Sequence, residues 1–445
     1  MKTLVFDTPM LVSALIMITT FTGIFTEGLH GFHRTKFALL GAMAMVITGQ
    51  LMGFYSPEDA MEAIDWNVIL LLGTMMTIVA IMIPTGGFHI IAYNVAHYSQ
   101  GRLFLLMVLI GLAVSLFSLM LDNVTTVVIF GPLIILITQA LKISPIPYLI
   151  AAAMLSNVGG VATLVGDPPN LMIGSAAHID FSTFLMHMGG IVMVAWATIV
   201  LTLRFIFRRE LSEIPLLPDF SDSLVLEDSR TWRAAIMALS IIVVLFMVHH
   251  LLGWEPWMVA ASGFVLLLFT APTIDLDSTF AKVEITLLTF FIALFILIGG
   301  VEHSHFLHYI GTFLLPFVKH DLLLSTILLM WIAALLSSLI DNIPFTVGMI
   351  PVLLGLEAHG INITPLWWAL AIGVGMGGNG THLGSTANVY VVTLSERIAK
   401  EYNDPSLAIK PGMWFKKGTP AMLLSLLVSS VLMVIFFDYF STPIP

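Results

Sequence analysis

Leu121-Asp122-Asn123-Val124, followed by Pro132, recurs as Ile340-Asp341-Asn342-Ile343, followed by Pro351. Farther along, Gly159-Gly160-Val161-Ala162-Thr163-Leu164-Val165-Gly166-Asp167-Pro168-Pro169-Asn170 aligns without a gap to Gly377-Gly378-Asn379-Gly380-Thr381-His382-Leu383-Gly384-Ser385-Thr386-Ala387-Asn388, with Gly, Gly, Thr, Gly and Asn in common. Both motifs are polar sequence inside apolar runs, and they recur in the same order. The chain therefore reads as two like halves, each holding polar groups where lipid would be expected.

The surroundings are those of a membrane protein. Of 445 residues 58% are hydrophobic and 10% charged, and the mean hydropathy is +1.01, far more apolar than an average soluble chain. Spans are predicted near 6–27, 36–55, 66–93, 146–176 and 183–208, with a paired run, 103–121 and 124–140, before the fourth. The second half repeats the order at 233–252, 255–272, 285–308, 364–394 and 415–438, its paired run being 322–340 and 343–358. Runs of about twenty residues match a hydrocarbon core about 30 Å thick. The first stretch lacks a basic n-region and a cleavage site, so it reads as a retained span and not a signal peptide.

Threading this order through a bilayer puts Arg34, Lys36, Arg102, Lys142, Arg204, Arg208, Arg209, Arg230, Arg233, Lys282, Arg397, Lys400, Lys410, Lys416 and Lys417 on one side and only Lys2 and Lys319 on the other. By the positive-inside rule the first side is the cytoplasm, both termini are extracytoplasmic, and the acidic stretch 209–232 is a cytoplasmic linker. The expected organisation is a first repeat over 1–208, the linker, and a second repeat over 233–445. An odd number of full spans per half makes the repeats inverted, the arrangement of alternating-access carriers. A hairpin that dips in and returns has the same parity as two crossings, so sidedness leaves the paired runs open between these forms.

Unwound backbone at membrane depth survives only where protein or a water-filled cavity satisfies it. Gly159-Gly160 and Pro168-Pro169 should break span 146–176, and the glycines from Gly377 to Gly384 should break span 364–394. Broken helices offer free amides and dipole ends to a solute. The predicted solute and ion ligands are Asp122, Asn123, Thr163, Asp167, Asn170, Asp341, Asn342, Asn379, Thr381 and Asn388, with Gly159, Gly160, Gly166, Gly377, Gly378 and Gly384 as helix-break positions. An ionised carboxylate between apolar arms is costly unless neutralised. With no Lys or Arg placed in the core, protonation, a bound cation or amide hydrogen bonds are left for Asp122 and Asp341.

Plainer readings stand beside these. Asp-Asn pairs also cap helices, and Asp167 before Pro168 is equally a turn residue, its counterpart being Ser385. His303, His305 and His308 have no carboxylate set to complete a metal site, so no metal is expected. The absence of cysteine excludes disulfides and thiolate chemistry. The net charge of -10, with basic residues scattered over loops, leaves no case for a nucleic-acid partner. No H-E-x-x-H motif supports an intramembrane hydrolase, and paired broken helices fit a gated carrier better than a channel.

Taken together, Leu121-Asp122-Asn123-Val124-Thr125-Thr126, Asn157-Val158-Gly159-Gly160, Gly166-Asp167-Pro168-Pro169-Asn170, Ile340-Asp341-Asn342-Ile343-Pro344-Phe345 and Gly377-Gly378-Asn379-Gly380-Thr381 resemble the ion transporter superfamily, specifically its ArsB/NhaD permease branch, with the melanosomal P protein as a near relative. The resemblance implies an all-α membrane protein of the elevator type, each repeat having five spans with a re-entrant helical hairpin and a broken helix. It assigns 6–93 and 233–308 to a scaffold that forms a homodimer in the cell (inner) membrane, and 103–176 and 322–394 to a mobile transport unit. Members export arsenite and antimonite or exchange sodium for protons, and some arsenite permeases work with a cytoplasmic ATPase subunit. No cofactor is implied beyond a coupling proton or sodium ion. Dicarboxylate relatives use Ser-Asn-Thr triplets where Asp-Asn stands here, which weighs against a dicarboxylate. Arsenite, an uncharged trihydroxide near neutral pH, suits Asn, Thr and backbone groups; sodium–proton exchange would use Asp122, Asp341 and Asp167 as titrating ligands.

Overall fold

A computed structural model describes residues 6–212, 226–271, 274–340 and 342–443. Asp341 and much of the predicted linker, 213–225, lie outside the described residues. The first half is built from α1 (Thr8–Phe25), α2 (Arg34–Met52), α3 (Trp66–Met82), α4 (Gly87–Ser99), α5 (Leu103–Ser118), α6 (Asn123–Ala140), α7 (Ile146–Gly160), α8 (Pro168–Ala176) and α9 (Phe181–Ile206). The second half repeats the set as α10 (Ser229–Leu252), α11 (Pro256–Thr270), α12 (Ile285–His303), α13 (Phe306–His320), α14 (Leu322–Ser337), α15 (Asn342–Glu357), α16 (Thr364–Gly377), α17 (Thr386–Glu401) and α18 (Pro411–Ile435).

Among the described residues eight helices are long and apolar enough to cross a membrane. Their outward faces carry large bare side chains such as Leu51, 82% exposed, and Phe205, 72% exposed. A surface of this kind is stable against lipid and not against water. By contrast every residue of α7 and of α16 is buried. A helix apolar all round belongs in the interior, so these two helices form the core. At about 1.5 Å per residue they reach little more than 20 Å, too short for a core of about 30 Å. Both end inside.

The packing recurs between halves. α1 lies on α2 as α10 lies on α11, α5 on α7 as α14 on α16, α2 on α12 as α11 on α3, and α8 on α15 as α17 on α6. The last pairing is an exchange, each broken helix resting its second arm on the other half's hairpin.

Two predicted spans differ from the observed helices. The run 66–93 stops at Met82, passes through a 3-10 turn over Ile83–Thr85, and restarts at α4 after Gly86, whose φ of 78° is open to glycine. The run 285–308 stops at His303, and α13 follows as a separate helix. Sequence reading passed over α13 because it is half polar, with Phe313 and Phe317 exposed on one side.

Candidate functional site

The tips of both hairpins and both helix breaks meet at one place. Asp122, Asn123 and Val124 from the first tip, Asn342 and Ile343 from the second, Asp167 and Pro168 from the first break, and Ser385 and Thr386 from the second line a single cavity of about 50 Å³. Arg34 and Leu287, at the starts of α2 and α12, close it together with Glu284.

Glycine makes the breaks fold. A Cβ on Gly166 would stand 2.4 Å from the Ser118 carbonyl and 2.7 Å from that of Gly160; one on Gly384 would stand 2.7 Å from the Gly378 carbonyl. The unwound backbone is then braced in the same way in both halves. Asn170 Nδ2 donates to the carbonyls of Gly160 and Thr163, each at 3.0 Å, and Asn388 Nδ2 donates to those of Gly378 and Thr381, each at 2.8 Å. Thr163 Oγ1 donates to Leu119 O and Thr381 Oγ1 to Ser338 O, both at 2.5 Å, fastening each break to its neighbouring hairpin. Gly159 and Gly377 touch the backbone of Ser115 and Ala334, where any side chain would collide.

The predicted ligands therefore divide. Asp122, Asn123, Asp167 and Asn342 line the cavity; Thr163, Asn170, Asn379, Thr381 and Asn388 stand behind it, their polar groups committed to backbone or to one another. A buried carbonyl left unpaired costs about 1–3 kcal/mol, which is why the breaks hold these side chains. Asp341 lies outside the described residues.

The two aspartates differ. Asp122 is the N-cap of α6 and receives Thr125 N at 2.8 Å and Thr125 Oγ1 at 2.5 Å, so the capping reading is realised there. Asp167 precedes α8 but makes no capping bond, although it is only 3% exposed, and its Oδ2 has no hydrogen-bond partner. At the matching position Ser385 does cap, accepting from Ala387 N. Asp122 and Asp167 are near enough to act on one another electrostatically, and Asn342 faces Asp167.

Asn157, in the sequence only one member of the motif Asn157-Val158-Gly159-Gly160, is the hub. Its Nδ2 donates to Asn379 Oδ1 at 2.8 Å and Asn388 Oδ1 at 3.2 Å; its Oδ1 accepts from Asn123 Nδ2 and Ser385 Oγ, both at 2.9 Å. Two donors and two acceptors are all an amide has. The tie is made once: by the alignment, Asn157 corresponds to Gly375 and Asn379 to Val161, and a Cβ on Gly375 would lie 2.2 Å from Val161 Cγ2. An asparagine in the otherwise largely apolar stretch of α7 is the signal that could have found it.

One expectation is corrected. No basic residue was placed in the core, but Arg34 lines the cavity with the aspartates. Its guanidinium carbon sits 5.0 Å from the Phe290 ring centroid, with Glu27 and Glu284 near enough to attract it. At the head of an apolar run Arg34 looks like a loop charge; only the fold turns that helix start toward the hairpin tips.

A profile of the citrate transporter (CitMHS) family matches residues 13–373. Among curated proteins, a 46 kDa membrane protein of Mycobacterium leprae is 32% identical over 90% of this chain and 93% of its own length. An uncharacterized transporter of Mycobacterium tuberculosis is 32% identical over 89% of this chain and 92% of its own. The human P protein is 30% identical over 88% of this chain, which spans 56% of that longer protein. Among solved structures, the YdaH transporter of Alcanivorax borkumensis superposes with a TM-score of 0.60 at 16% identity, over 97% of this chain and 99% of that one.

Proposed function

The chain belongs to the citrate transporter family, and from that premise we propose that it is a cation-coupled secondary active transporter whose solute site is the cavity between the hairpin tips and the helix breaks. The observation that carries this is the unpartnered Oδ2 of Asp167, buried beside that cavity with Asp122 across it. A carboxylate so placed calls for a proton, a cation or a solute hydroxyl.

The solute proposed first is arsenite or antimonite, exported by the proton motive force, as the resemblance to the ArsB/NhaD branch suggests. A small trihydroxide suits a cavity of about 50 Å³ lined by amides and carboxylates. Among the described residues that line it, three acidic side chains stand against one arginine, Asp122, Asp167 and Glu284 against Arg34, which disfavours a citrate trianion. Sodium–proton antiport is the second reading, favoured by the nearness of Asp122 and Asp167, which would serve as oxygen ligands. Under either reading the halves are inverted repeats, and the hairpins and broken helices move as an elevator against a scaffold that dimerises. The protein sits in the cell inner membrane with both termini outside, and a cytoplasmic ATPase is a candidate partner for arsenite export.

The test is arsenite accumulation in everted vesicles with and without an imposed proton gradient, for the native chain, Asp167→Asn and Asp341→Asn. Gradient-driven accumulation lost in the variants is expected. Accumulation indifferent to the gradient, or unchanged in both variants, overturns the proposal; sodium-dependent proton movement without arsenite transport selects the second reading.

A further inference from the structure

Two bodies contribute to the cavity, and among the described residues that line it only one of them supplies positive charge. Asp122, Asp167 and the tip and break amides come from the hairpins and broken helices, whereas Arg34 begins α2, which packs on α1 and α12. At the other end of α12 a larger cavity of about 350 Å³ separates α12 and the segment 59–65, just before α3, from α8 and α15. It is lined on the scaffold side by Asp59, Glu62, Asp65, Glu302 and His303, with no lysine or arginine among the described residues. At the start of α11, the counterpart of α2, stands Glu255, which lines a separate cavity and receives a hydrogen bond from Asn67 at 3.2 Å. The scaffold thus sets a guanidinium in one cavity with the site carboxylates at one end of the path and acids at the other.

We propose that Arg34 is the coupling residue of this transporter: it holds the empty, deprotonated carrier at this end until a proton, a cation or solute hydroxyls take its place beside Asp122 and Asp167. The proposal rests on the reading of the hairpins and broken helices as a moving unit. Moving that unit away with both carboxylates bare separates opposite charges in a medium of low dielectric and brings like charges together at the far end. Loading the carboxylates removes both penalties. Glu27, before α2, and Glu284, before α12, also attract Arg34 and keep the guanidinium in place once the carboxylates are neutral. Without the arginine the carboxylates are equally uncompensated at both ends, so nothing retains the empty carrier and it slips.

Because the chain contains no cysteine, two labels report the motion directly. Leu51→Cys on α2 and Leu136→Cys on α6 are exposed positions on the two bodies, and spin labels there give their separation. In substrate-free protein the native background should show one distance population and Arg34→Gln two, with Arg34→Lys resembling the native. In proteoliposomes without solute, Arg34→Gln should dissipate an imposed pH or sodium gradient about tenfold faster than native protein, and Arg34→Lys within about threefold of it. Unchanged distances together with an unchanged leak in Arg34→Gln, in protein that elutes as a native-sized particle, overturn the proposal. If the distances split but native protein moves neither arsenite nor sodium, the solute reading fails while the role of Arg34 stands.

Discussion

Asn157 Nδ2 donates to Asn379 Oδ1 at 2.8 Å and to Asn388 Oδ1 at 3.2 Å, so the two helix breaks, one from each half of the chain, are joined through one asparagine. With Asn123 and Ser385 donating to the same Asn157 oxygen, a hairpin tip is held in register with both. Nothing equivalent exists at the matching pair, Gly375 and Val161, which meet by close packing alone.

Replacing Asn157 by alanine should strand the amides of Asn123 and Asn379 in a dry interior. Each unsatisfied group costs about 1–3 kcal/mol, enough to let the tip and breaks drift while the outer helices stay folded. The expected result is membrane insertion at native levels with transport reduced at least tenfold. Flux assays beside surface-labelling of inserted protein check this, and native flux in Asn157→Ala would show that the network positions nothing.

Close packing of α16 on α14 predicts a contrast between two glycines. A Cβ on Gly377 would sit 2.4 Å from the Ala334 carbonyl oxygen and 2.5 Å from its Cα, whereas one on Gly190 in α9 meets nothing within 4 Å. Gly377→Ala should destabilise the detergent-purified protein by about 1–3 kcal/mol through overpacking. Gly190→Ala should leave it unchanged or slightly more stable, since alanine is the better helix former. Thermal unfolding of the two variants side by side decides the matter.

The loop before α9 predicts a pH dependence. Burial alone would raise the Asp180 carboxyl, but hydrogen bonds from Ser182 and Thr183 outweigh it and bring the group down to about 2. Because this lies below the unfolded value of about 3.9, the cap contributes fully above roughly pH 4 and is lost as pH falls through about 2. Asp180→Ala should therefore lower stability by about 1 kcal/mol at neutral pH. The gap to the native protein should close only in strong acid. Unfolding measured across pH with both proteins tests the sign, and a gap that closes near neutrality would contradict it.

Much of the architecture was legible before any coordinates. Apolar run length located the helices because lipid sets their span, and the glycines and prolines of 159–170 marked the breaks because no helix continues through them. Short α4 and half-polar α13 were not separated from their neighbours, since hydropathy averages over Pro84, Gly86 and His305 without registering a change of direction. Within the site, polar residue type flagged the right neighbourhood but not the right role. Thr163 and Asn170 have the same donor groups whether they face a solute or brace a carbonyl.

What the sequence determined alone is which segments are apolar, where they must unwind, and that the pattern occurs twice, because these follow from the backbone's need for hydrogen bonds and from solvent preference, both local properties. The tertiary structure decided which polar atoms are already satisfied and which still need a partner. Asp122 accepts from Thr125 as a cap, whereas the Oδ2 of Asp167 is left without a hydrogen-bond partner. Asn157 joins residues more than two hundred positions away, and Arg34, a loop charge in the one-dimensional reading, is carried to the site carboxylates by helix packing. Hydrogen bonding and charge pairing depend on distance in space, which the order of residues along the chain does not contain.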